Sequence, residues 1–268
     1  MLMPMENLVW ILAFVGSGLS AGILSGLFGV GGGTLVVPLL LLLGIPIHHA
    51  VGMSLVYIVF ASASGSVKHY RQDNIHLASA LWMSAAAFFT SFVGVKIGVA
   101  LPAQWLSFLF SGLMLLVLGI FAYRLHLEKK QGQQTWDPDF KPPLTGLITT
   151  GLIAGVFSSL FGVGGGFVMV PLLVILAKFN LKKAAGTSLV AIFFIGLTGI
   201  LQHYLFGDLK AALHHHMWPM VAMALAGVVG APLGAMLNHK LPARWLHLGF
   251  MAFILAITVY MFFYGQQA

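Results

Sequence analysis

Apolar residues run almost unbroken along most of the chain, and polar residues collect in short gaps between the runs. Eight runs are long: Leu8 to Phe28, Ala50 to Val67, Ile75 to Leu101, Trp105 to Tyr123, Leu144 to Phe161, Ala184 to Phe206, Ala211 to Leu237 and Trp245 to Tyr264. A helix that crosses a bilayer needs about 20 mostly apolar residues, and these runs qualify. In lipid the backbone has no water to bond, so each run must close its hydrogen bonds internally, as a helix. A β-barrel would show short alternating segments, and the pattern has none.

Composition sharpens this reading. Of 268 residues, 59% are hydrophobic and only 7% charged, against about 25% charged in soluble domains. Six acids and thirteen bases cannot cover a soluble globule of this size. The high calculated pI of 9.8 does not point to nucleic acid, because the bases sit in short loops between spans, where Lys and Arg mark the cytoplasmic face. The chain has no cysteine, which excludes disulfides, thiolate metal sites and a Cys nucleophile. Glu6 is the only charge before the first run, which argues against a cleaved signal peptide.

The chain repeats itself. Leu27 to Gly33 reads LFGVGGG, and so does Leu160 to Gly166. Val37-Pro38-Leu39-Leu40 returns as Val170-Pro171-Leu172-Leu173, Gly52 and Ser54-Leu55-Val56 as Gly186 and Ser188-Leu189-Val190, and His69-Tyr70 as His203-Tyr204. Gly94 and Gly98 return as Gly230 and Gly234, and Leu101 to Leu106 as Leu241 to Leu246 with one change. The first repeat is residues 1–124, a cytoplasmic linker is 125–143, and the second repeat is 144–268. The paired FGVGGG blocks, each followed by Val-Pro, and the His-Tyr after the third apolar segment resemble the TauE/SafE sulfite-exporter family of membrane permeases. The resemblance spans nearly the whole chain.

Each half offers five segments: one long, one short after the glycines, then three long. Five is odd, so the second half would lie inverted in the membrane. In that arrangement eleven bases fall on one side and only Lys210 on the other, with Lys96 inside a span. If the short segment were a re-entrant hairpin, the halves would lie parallel and the split would be seven against five. The positive-inside rule favours the inverted arrangement, with both termini outside. The expected fold is an all-α polytopic membrane protein of two inverted repeats, each with a Gly-broken helix, an architecture common among secondary transporters.

The glycine blocks carry the sharpest functional expectation. Each glycine inside a helix costs about 1 kcal/mol relative to Ala. Thr34 to Gly44 is too short to cross a core about 30 Å thick at about 1.5 Å per residue. Gly29, Gly31, Gly32 and Gly33, and again Gly162, Gly164, Gly165 and Gly166, are therefore expected at a helix break below the surface. With Thr34 as N-cap, Pro38 would fall in the first turn. A half-helix starting inside the membrane presents free N–H groups and a positive dipole end, an anion site with no charged side chain. The plainer alternative is that these glycines only let helices pack closely. A nucleotide-binding loop is excluded by the lack of a preceding strand or a Gly-Lys-Ser/Thr ending.

Other candidates are polar residues at matched places. Ser54, Ser188 and the neighbouring Thr187, with Ser25, Thr34 and Ser158, could bond an oxyanion, or simply bond back to their own helices. His69 and His203 could carry coupling protons or anchor the chain at the interface, like the Tyr beside each. His214, His215 and His216 fan out around one helix and are not expected to share a metal. Lys96 is either a counter-charge for an anion or a snorkelling base. No acid lies in the centre of a span, which argues against a cation pump.

The expectation is thus a secondary transporter of a small anion in a bacterial-type inner membrane, working by alternating access. The family resemblance implies sulfite or an organosulfonate as cargo, exported. Its partners are the bilayer, the small anion and, as a candidate, a second copy of the chain. No cofactor, metal, catalytic residue or nucleic acid is expected. An anion channel and an accessory subunit of a membrane complex are the rival readings.

Overall fold

The computed structural model describes residues 8–131, 141–237 and 251–263, apart from 253 and 257. Among these, ten helices form and no strand does. In chain order the first half gives α1 (Leu8–Phe28), α2 (Gly33–Leu42), α3 (Ile47–Tyr70), α4 (Leu77–Ala100) and α5 (Ala103–Gln131). The second half gives α6 (Leu144–Phe161), α7 (Gly166–Leu176), α8 (Leu181–Phe206), α9 (Leu209–Leu237) and α10 (Ile254–Phe263). Helices α1, α3, α4, α6, α8 and α9 are long and apolar enough to cross a membrane. The chain is a multi-pass helical membrane protein.

Two of the eight apolar runs yield shorter described apolar stretches, Ala103–Leu116 in α5 and Ile254–Phe263 in α10. Helix α5 continues to Gln131, so the stretch read as a linker begins as helix. Residues 132–140 of it lie outside the described residues, as do Lys240, Arg244 and the second Leu-Pro-Ala motif.

The halves interleave. The first helix of each half packs along the fourth helix of the other: α1 on α9, and α6 on α4. Helices α3 and α8 meet at the centre. Small residues make these contacts close, as is usual in membranes. A Cβ on Gly22 of α1 would stand 2.9 Å from the carbonyl oxygen of Gly227 on α9, and one on Gly230 would stand 2.5 Å from that of Leu19. Gly151 and Gly155 of α6 face the Met83 and Ala87 carbonyls of α4 in the same way. Helix α9 bends at His216, whose φ of −130° and ψ of 23° leave the helical region.

Each glycine block breaks the chain where the repeat pattern requires. Gly29, Gly31 and Gly32 have φ of 69°, 78° and 73°; Gly162, Gly164 and Gly165 have 68°, 74° and 68°. A side chain in this left-handed region costs roughly 1–2 kcal/mol per residue, so three glycines per block satisfy a backbone demand. The N-cap of α2 is Gly32 rather than Thr34, and that of α7 is Gly165. The reversal is made by glycine backbone geometry, which needs no capping side chain. Pro38 and Pro171 consequently sit inside their helices rather than in the first turn, and each removes one helical hydrogen bond.

Candidate functional site

The two breaks meet at the centre of the molecule. A Cβ on Gly33 would lie 2.7 Å from the carbonyl oxygen of Gly162 and 2.8 Å from Val163 Cα; one on Gly166 would lie 2.7 Å from the Val30 carbonyl oxygen. Thus the first residue of each half-helix lies against the break of the other repeat. Ile58 of α3 and Ile192 of α8 fill the space beside them. Each of Gly31 and Gly164 has both isoleucines within 4 Å of its Cβ direction, and both isoleucines are fully buried. Ile58 and Ile192 occupy equivalent repeat positions, a match that could have been read from the sequence.

The first intrahelical amides of α2 are those of Leu35 and Val36, both donating to the Gly32 carbonyl at 3.0 and 3.1 Å. Val168 and Met169 repeat this on Gly165 at 3.1 and 2.8 Å. The amides before them, at each half-helix start, supply the positive dipole end. At the start of α2 are the hydroxyls of Thr34 and Ser25, and Ser158 is the repeat equivalent of Ser25. They are buried, and among the described residues they have no hydrogen-bond partner. Ser25 Cβ stands 3.2 Å from where a Cβ on Gly32 would be. A buried unpaired hydroxyl costs about 1–3 kcal/mol, a cost that a bound ligand would relieve; Ser159, next to Ser158, carries another such hydroxyl.

Ser54 and Ser188 do something else. Ser54 donates to the Gly162 carbonyl at 2.6 Å, and Ser188 to the Gly29 carbonyl at 2.7 Å and to its own helix at Ala185, 2.9 Å. Their protons hold the opposite repeat's break rather than a free rim. Tyr57, buried beside Gly32, donates to the Gly18 carbonyl at 2.9 Å. Thr187 lies away from this centre. Its hydroxyl accepts from the His76 amide at 3.0 Å and so ties the loop before α4 onto α8.

His69 and His203 are buried, not interfacial anchors. His69 Nε2 lies 3.2 Å from the Gly26 carbonyl, and His203 Nε2 lies 2.8 Å from the Ser159 carbonyl. Gly26 and Ser159 are equivalent positions near the ends of α1 and α6, where helix carbonyls lose their i+4 donors. A carbonyl only accepts, so each imidazole donates and caps its helix. Sequence reasoning placed these histidines at the membrane surface because the apolar run ends at Val67. Lys96 is exposed on α4, its ammonium 5.6 Å from the centre of the Phe92 ring. The structure does not bring Lys96 to the glycine blocks.

Outside the spans, His76 precedes α4 and accepts from the Ser79 amide through Nδ1 at 3.2 Å. Burial, with the nearby Lys183 adding to it, lowers its pKa below the usual 6.5.

Crossed helices, two half-helices and paired breaks on a central helix pair define a polytopic membrane protein built from two like halves around one buried polar centre. The profile of the family described as "Sulfite exporter TauE/SafE" matches residues 14–261. The chain belongs to that family. It is 30% identical over 223 residues to the probable membrane transporter protein YdhB of Bacillus subtilis (strain 168), covering 82% of this chain and 87% of that one. It is 28% identical over 242 residues to the probable membrane transporter protein MJ0441 of Methanocaldococcus jannaschii, covering 86% and 87%. A probable membrane transporter protein of Xylella fastidiosa (strain Temecula1) is 28% identical over 260 residues, with 94% of each chain covered. No solved structure matches. These relatives place the chain among multi-pass transporters of the bacterial-type plasma membrane.

Proposed function

We propose that the chain is a secondary transporter that carries a small oxyanion, exported by alternating access, and that it is not an enzyme. One observation carries this reading. Two half-helix N-termini meet at a buried centre, with the hydroxyls of Thr34 and Ser25 at the start of α2 and Ser158 as the repeat equivalent of Ser25, all three without a hydrogen-bond partner among the described residues. N–H groups, a positive dipole end and hydroxyl donors suit an anion without a formal cation. The family's description as a sulfite exporter supports sulfite as the cargo, and an organosulfonate would present the same kind of oxyanion. The glycines of both blocks, from Gly29 to Gly33 and from Gly162 to Gly166, frame the site; Ser54 and Ser188 fix its walls.

The crossed pairing of the halves and the charge split support inverted repeats. In this reading the half-helices enter from opposite sides, and one unit rocks against the other around the centre. The buried Ile58 and Ile192 between the breaks favour a carrier over a continuous pore. Flux in proteoliposomes tests the function. Sulfite efflux should saturate and show counterflow. Linear, non-exchanging flux would mean a channel, and no flux of sulfite or any sulfonate would remove the cargo class. Single cysteines near Lys130 and Lys183, placed in this Cys-free chain, should both resist an impermeant thiol reagent in intact cells. Labelling of only one would overturn the inverted arrangement.

A further inference from the structure

One end of the molecule gathers histidine. His48 and His49 are the second and third residues of α3. The His49 ring lies 6.4 Å from that of His215, nearly parallel, and 5.6 Å from that of His216. His214 and His215 are 4.9 Å apart, and His215 and His216 are 6.2 Å apart. His48 lines a small cavity with His203 and Asp208, closed by Val51, Gly98 and Leu160. The bend at His216 lets the first turns of α9 lean over the start of α3. His48 and His203 thus line one cavity with Asp208, and His49, His214, His215 and His216 form a chain of ring contacts beside the start of α3. Among the described residues, no group of three or more His, Asp or Glu has an arrangement that could hold a metal.

The repeat supplies the contrast. At the spacing that relates Ser54 to Ser188, His48 and His49 correspond to Lys182 and Lys183 on α8. The same architectural position thus carries fixed cations at one end of the molecule and titratable groups at the other. Imidazoles ordinarily change charge near neutral pH. Those of His48 and His49 stand in the first turn of α3, where the helix dipole opposes a positive side chain. An anion lying between them and the first amides of α3 would offset that penalty.

We propose that this histidine mouth is an anion-binding vestibule charged by protons: it takes a small oxyanion when its imidazoles are protonated and gives it up when they are neutral. The proposal rests on the anion-transport reading and adds a second site to it, at an end of the pathway. Among the described residues, the ionisable groups facing the vestibule are few. From α3 come His48 and His49, from α8 the buried His203, from the bend before α9 Asp208, and from α9 His214, His215 and His216. Lys210 on α9 lies over the Tyr204 ring at 4.9 Å, and Lys96 on α4 lies over Phe92, both on exposed faces. Helices α1, α6 and α7 bring no ionisable side chain. Asp208 competes with the anion and leaves the neutral mouth net negative.

The test is NMR of ring-labelled histidine in the intact protein in nanodiscs, titrated from pH 5 to 8 with and without sulfate. Sulfate keeps both charges over this range, so only the protein titrates. Gluconate matches the ionic strength. Sulfate should raise the midpoints of His48, His49 and His215 by about one pH unit each, equivalent to about tenfold tighter binding for each proton the mouth takes up. His76, at the Lys183 end, reports any non-specific salt effect. Midpoints that move no further than that of His76 overturn the vestibule. Sulfite counterflow in proteoliposomes separates the two readings. Unmoved midpoints with intact counterflow remove only the vestibule. Shifted midpoints without transport of any anion leave an anion site at this mouth and remove the transport reading.

Discussion

Ser54 of α3 donates its hydroxyl proton to the carbonyl oxygen of Gly162, 108 positions away in the other repeat, at 2.6 Å. Ser188 of α8 returns the bond to Gly29 at 2.7 Å. Each glycine break frees carbonyls that a continuous helix would have used, and at each break one of them, on Gly162 or Gly29, is bonded from the other repeat. The breaks are therefore properties of the assembled pair of halves.

This interlock sets a stability test. Ser54→Ala should lower stability by about 1–3 kcal/mol, because it leaves the Gly162 carbonyl buried without that donor. Ser188→Ala should cost as much or less, since Ser188 already shares its proton with Ala185. Thermal unfolding in detergent reads both. Wild-type midpoints in the two variants would show that the bonds hold nothing.

Much of this architecture was legible in the sequence. Repetition of LFGVGGG gave two halves, and the shortness of the following segment gave a half-helix. What failed was legible only in three dimensions. Thr34 looked like an N-cap because Thr caps helices with its side chain, but a left-handed glycine at Gly32 makes the turn by backbone alone. Ser54 and Ser188 looked like rim donors because a sequence does not say which carbonyls a break leaves bare. His69 looked interfacial because its run ends at Val67; the capped carbonyl, on Gly26, belongs to another helix.

The histidine caps predict a separation of fold from proton coupling. Glutamine keeps an N–H donor, so His69→Gln and His203→Gln should remain folded, whereas the leucine variants should lose about 1–3 kcal/mol through an orphaned carbonyl. If capping is the whole role, flux driven by a pH gradient survives both glutamine variants. Its loss, with substrate binding intact, would assign the coupling proton to that imidazole.

His76 predicts a pH dependence at the Lys183 end. Its native pKa is depressed, chiefly by burial and then by Lys183, so below about 6.5 the unfolded chain binds a proton that the folded chain resists. The contribution of His76 is intact above that pH and is lost as the pH falls through the lower native value. His76→Asn keeps a cap for the Ser79 amide without a titrating group. Its stability should fall less than the wild type's between pH 7 and 5, read by thermal unfolding. Parallel pH profiles for the two proteins would contradict the assignment.

Ser25 and Ser158 give the most discriminating test of the site, because structure and function should respond with opposite signs. Each hydroxyl is buried and, among the described residues, unpartnered. Its desolvation is uncompensated in the ligand-free fold, so Ser25→Ala or Ser158→Ala should leave stability unchanged or raise it by about 1 kcal/mol. If the same hydroxyl donates to a charged oxyanion, the substitution removes a bond of about 1.5–3 kcal/mol and weakens substrate binding roughly 10- to 100-fold. A packing role predicts the other pattern, with stability and affinity falling together as a small cavity opens. The repeat adds a constraint. Both serines serve one centre in this reading, so either single variant should impair all transport, measured as sulfite counterflow per folded molecule. A variant that kept half the flux at wild-type affinity would mean two independent paths, and the shared centre would be wrong.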